Sequence, residues 1–90
     1  MGSAKRLRPT RLGEKLLTIR QHFDCSLAQM RTKLSNKGFD VSRAAISQYE
    51  SNTREPSLPV LLRYARLAGI TIDVLADDEI DLADHFPKNY

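Results

Sequence analysis

Five times between Thr10 and Asp77 a small hydroxyl residue stands ahead of apolar residues spaced three and four apart, and that repetition dictates short amphipathic helices. Pro9 and Thr10 precede Leu12, Leu16, Ile19 and Phe23. Ser26 precedes Leu27, Met30 and Leu34, with Gln29 placed so that serine and glutamine can satisfy each other's backbone amides as a capping box. Ser42 precedes Ala45, Ile46 and Tyr49. Ser57 precedes Leu58, Leu61, Leu62, Ala65 and Ala68, with Pro59 in the first turn and Gly69 as the stop. Thr71 precedes Ile72, Val74 and Leu75. No segment alternates with the period of a strand and none repeats, so the expected class is all-α, a compact five-helix domain.

Between the second and third stripes, residues 35–41 lose the helical period and contain Gly38; they read as a turn anchored to the core by Phe39 and Val41. Residues 1–10 read as a flexible basic leader in which Met1-Gly2-Ser3 resembles a tag remnant. Residues 11–78 form the expected domain and 79–90 an acidic, loose tail. A chain of 90 residues holds one modest core, which suits a helical module better than an enzyme with an enclosed pocket.

The net charge of +3 conceals a division. Residues 1–54 carry eleven Lys or Arg against four acids, whereas residues 55–90 carry three against seven. The basic half suits a polyanion, since neutralising phosphates releases condensed counterions, and the acidic half would be repelled by the same surface. Cys25 has no disulfide partner in the chain and reads as a small hydrophobe stapling onto Met30, as expected in a reducing cytosol. No apolar run reaches the length of a membrane span, so the expected location is the cytoplasm, at the nucleoid. His22, Asp24 and Cys25 lie close together but lack a glycine loop or an orienting third group, and His22 and His85 lack ligand spacing. The reading is therefore not an enzyme, with no metal and no cofactor.

Several stretches resemble the Cro and lambda-repressor-like helix-turn-helix family: Leu16 and Arg20 in the first helix, Ser26 to Met30 opening the second, and Val41-Ser42-Arg43-Ala44-Ala45-Ile46-Ser47-Gln48-Tyr49-Glu50. Arg54-Glu55-Pro56-Ser57-Leu58 and Leu67-Ala68-Gly69-Ile70 then follow in the family's order. The likeness spans roughly residues 11–76. It departs in a turn longer by several residues than the usual three or four, expected to bulge toward the phosphates. It departs also in Leu27 where glutamine is common, in Arg31 where a small residue is usual, and in Asn52 where glycine is frequent. Asparagine shares glycine's access to the left-handed region.

The resemblance implies a DNA-binding regulator, acting as a repressor, whose helix beginning at Ser42 reads the major groove of a double-stranded operator. The other class that the sequence leaves open is a protein-interaction module, such as an antitoxin or adaptor, that keeps the fold with weak DNA binding. Base readers would be Arg43, Ala44, Ser47 and Gln48. Phosphate contacts would come from Ser42, Asn52, Thr53, Arg54, Lys33 and Lys37, with Lys5, Arg6 and Arg8 as an arm along the duplex. Arg20 and Glu50 fall where the family has a structural ion pair. A homodimer, at least on DNA, is expected, with protein contacts through Ile80, Leu82, Phe86 and Tyr90 in the acidic half.

Overall fold

The computed structural model describes residues 9–35 and 39–86, and contains five α-helices and no strand among them. They are α1 (Leu12–His22), α2 (Leu27–Leu34), α3 (Arg43–Glu50), α4 (Leu58–Ala68) and α5 (Ile72–Ala76), followed by a 3₁₀ turn at Leu82–Asp84. The leader with Lys5, Arg6 and Arg8, together with Lys37 and Tyr90, lies outside the described residues. Helix α1 packs on α3 and α5, α2 packs on α3 and α4, and α4 closes on α5. Leu16, Ile19, Met30, Leu34, Ile46, Tyr64 and Leu75 are wholly enclosed at the centre.

The capping signals hold for α2 and α3. Ser26 Oγ accepts the Gln29 amide at 3.1 Å while Gln29 Oε1 accepts the Ser26 amide at 2.8 Å, the reciprocal pair expected of a capping box. Ser42 Oγ accepts the Ala45 amide at 3.0 Å. Cys25 and Met30 enter the same core cluster. Gly69 ends α4 at φ 72°, where a residue with a Cβ would be strained.

Helix α1 begins differently from the expectation. Arg11, not Thr10, occupies the cap position, and its side chain makes no cap bond. The free amides are satisfied from far along the chain: Thr10 and Arg11 donate to the two oxygens of Asp78 at 2.8 and 3.0 Å, and Gly13 donates to Asn52 Oδ1 at 3.0 Å. The Thr10 hydroxyl also turns to Asp78.

The buried face of α4 is also rotated from the expected one. Val60, Tyr64, Ala65 and Ala68 are buried and Leu61 is half-buried, but Leu58 is 69% exposed and Leu62 40%. The helix carries two apolar stripes, and packing encloses the one bearing Tyr64, which removes more surface from water than a leucine.

The segment set apart as a tail packs back onto the domain as far as residue 86. Leu82 and Phe86 are buried, Ile80 is half-buried against the core, and Phe86 lies 4.2 Å from the His22 ring, centroid to centroid. Below it, the Lys15 ammonium is buried and donates to the carbonyls of Val74, Asp77 and Ile80 at 2.8, 2.9 and 2.8 Å. Arg11 reaches Asp81 at 2.7 Å and the Asp78 carbonyl at 2.7 Å. Part of the acidic half thus meets the basic half of its own chain, and Ile80, Leu82 and Phe86 are engaged within the domain.

Candidate nucleic-acid interface

One face of α3 is buried and the other is open. Ala45, Ile46 and Tyr49 are enclosed, as their spacing requires, while Arg43, Ala44, Ser47 and Gln48 are all exposed. The helix's single acid does not spoil that face. Glu50, whose side chain is 9% exposed, turns inward and accepts Arg20 Nε at 2.7 Å and Nη2 at 3.0 Å. Arg20 Nη1 donates to the Cys25 carbonyl at 2.9 Å, so one guanidinium ties α1 to the end of α3 and the start of α2. The hydrogen bonds that Arg20 donates to Glu50 raise its pKa further.

The chain leaves α3 through a tight loop. Asn52 takes φ 62°, the left-handed conformation that its similarity to glycine anticipates. The Gln48 carbonyl accepts the amides of Thr53 and Arg54 at 3.0 and 3.3 Å, which turns the backbone back along the helix. The Arg54 guanidinium lies 5.8 Å from the centre of the Tyr49 ring.

The expected phosphate donors divide. Ser42, Thr53 and Arg54 are exposed at the two ends of α3. Asn52 is exposed as well, but its side-chain oxygen accepts the Gly13 amide and its nitrogen donates to the Thr10 carbonyl at 3.0 Å, so its amide also holds the start of α1. The Lys33 ammonium lies 5.7 Å over the Phe23 ring, in a groove lined by Phe23, Asp24, Cys25, Gln29 and Thr32, the last of which also lines the groove containing Arg43. The charge inventory narrows accordingly. Among the described basic residues of the N-terminal half, Arg11, Arg20 and Arg31 are paired with carboxylates and Lys15 with carbonyls; Arg43 and Arg54 remain at the open face of α3.

Two features of the site gave no sequence signal. Gly13 is a close-approach glycine: a Cβ there would stand 2.6 Å from the Glu50 carbonyl oxygen, where α1 crosses the end of α3. The other is the closure of the lengthened turn. Arg31 donates to both oxygens of Asp40 at 3.3 and 3.0 Å, Ser35 Oγ donates to Asp40 at 3.0 Å, and the same Oγ accepts the Val41 amide at 3.0 Å. These bonds hold the Asp40 carboxyl below its usual range. Arg31, where a small residue is usual, is thereby accommodated by the carboxylate that the longer turn supplies.

A family model described as helix-turn-helix matches residues 16–75. The chain belongs to the helix-turn-helix family. Among solved structures, the crystal structure of the P22 c2 repressor protein in complex with synthetic operator 9T in the presence of Tl+ is similar, with a TM-score of 0.63 and 27% sequence identity. The match covers 74% of this chain and 94% of that one, and its fold is the lambda-repressor-like arrangement of helices found here. No curated protein sequence matches.

Proposed function

We infer that the chain is a sequence-specific DNA-binding transcriptional regulator, acting as a repressor, that lays α3 in the major groove of a double-stranded operator. The carrying observation is the open face of α3, where Arg43, Ala44, Ser47 and Gln48 stand together and Glu50 is drawn inward. An α-helix fits the groove, and this face offers the chemistry its base edges require. Gln48 pairs with adenine through its amide, Arg43 with guanine, and the Ala44 methyl packs on a thymine methyl, with Ser47 between them. Ser42 and Thr53 reach phosphate through hydroxyls and Arg54 through its charge, while Arg20 and Glu50 keep α3 at its angle.

The likeness to a repressor in complex with an operator supports this reading over a catalytic one. One short helix reads only a few base pairs, so two copies act together on half-sites about one helical turn apart, near 10 base pairs. Such a regulator works at the nucleoid. Selection from a randomised duplex library at physiological salt tests the proposal: a two-fold symmetric motif should be enriched. Failure to enrich any sequence would overturn it.

A further inference from the structure

The long turn before α3 raises a mechanical difficulty. In a three- or four-residue turn, covalent length alone limits how the second helix can sit on the first, and here seven residues, 35–41, separate Leu34 from the Ser42 cap. Noncovalent bonds restore the restraint. Ser35, the residue that ends α2, accepts the amide of Val41, immediately before the cap of α3, and both join through Asp40 to Arg31 on the outer face of α2. The four residues form a closed ring across the mouth of the turn. Beside it runs an open groove lined by Ala28, Arg31, Thr32, Ser35, Asp40 and Arg43, the last being the first residue of the reading helix.

We propose that Arg31, Ser35 and Asp40 are positioning residues that set the register of α3 in the groove, and so determine operator specificity without touching a base. This rests on the DNA-binding reading above. The ring is exposed, with Arg31 and Asp40 side chains at 47% and 63%, so it contributes little to global stability. Its effect falls on the orientation of one helix end.

Simple electrostatics and positioning make different predictions for Asp40. A carboxylate close to a polyanion repels it, so if charge alone mattered, Asp40→Ala would tighten binding to every duplex. If Asp40 positions α3, the same change lowers the ratio of affinities for the selected duplex over a scrambled duplex of equal length by about tenfold, the equivalent of one misplaced base contact. Ser35→Ala alters no charge and serves as the second variant. It should lower that ratio similarly, leave the salt dependence unchanged and speed hydrogen exchange at the Val41 amide, with the denaturation midpoint near the parent's. A lowered ratio in both variants supports the proposal. An unchanged ratio in either, whichever way absolute affinity moves, overturns it while the DNA-binding reading stands. A parent that selects no duplex removes that reading and this inference together.

Discussion

At the scale of single residues, Gly13 and the Arg20–Glu50 pair show how little of the sequence is spare around the end of α3. Alanine is the better helix former by up to about 1 kcal/mol, so propensity alone favours Gly13→Ala. The Cβ would nevertheless press on a backbone carbonyl that no rotamer change can move. The variant should lose about 2 kcal/mol in urea denaturation, and a gain would refute the close approach. Glu50→Ala leaves the Arg20 guanidinium, 21% exposed, without its bidentate partner, and should cost about 3 kcal/mol by the same measurement. A midpoint within error of the parent's would show that the pair is not structural. The pair was legible because both residues fall at family positions, whereas nothing along the chain announces that residue 13 meets the carbonyl of residue 50. Tyr64 differs again: its hydroxyl is buried with no hydrogen-bond partner among the described residues, and burial pushes the phenol's pKa up. Tyr64→Phe should be neutral or slightly stabilising, since it removes an unsatisfied group and keeps the ring.

At the scale of elements, the apolar spacing located all five helices, although only Ser26 and Ser42 make side-chain cap bonds, and the residues on either face of α3 were read correctly because only one apolar stripe exists there. Helix α4 was ambiguous for the opposite reason. Leu58 and Leu62 compete with Val60 and Tyr64, and local pattern cannot decide which stripe a neighbour will cover. Leu62→Ser should therefore change stability by no more than about 0.5 kcal/mol, whereas Val60→Ala should cost about 2 kcal/mol. The reverse order would return the helix to the face first expected. The packing of residues 79–86 was equally hidden, because it depends on Lys15. A lysine within an amphipathic helix reads as a solvated charge, yet here it closes three carbonyls that would otherwise be left open.

At the scale of the whole molecule, the ends of the folded unit are drawn together by Asp78, which caps the start of α1 across most of the chain. The amides of Thr10 and Arg11, followed by the Thr10 hydroxyl, hold its carboxyl below the usual carboxylate range. A carboxyl depressed on folding contributes stability above its unfolded pKa, near 3.9, and that stability is lost as pH falls through the lower folded value. Asp78→Asn should therefore lose stability at neutral pH and show a shallower fall on acidification. An unchanged acid limb would remove Asp78 from the account. The charge division of the sequence has a related lesson: among the described residues, Arg11, Lys15, Arg20 and Arg31 are engaged within the domain, and Arg43 and Arg54 stand at the face of α3. Base reading by α3 depends on that face, and the most direct measurement compares Gln48→Ala with Arg54→Ala on the selected operator and on random duplex. Gln48→Ala should cost about 1–3 kcal/mol on the operator and almost nothing on random DNA, while Arg54→Ala should weaken both and reduce the salt slope by about one. If both variants, with folding unchanged, lose operator and random binding in the same proportion, α3 does not read bases through Gln48 and the central claim is contradicted.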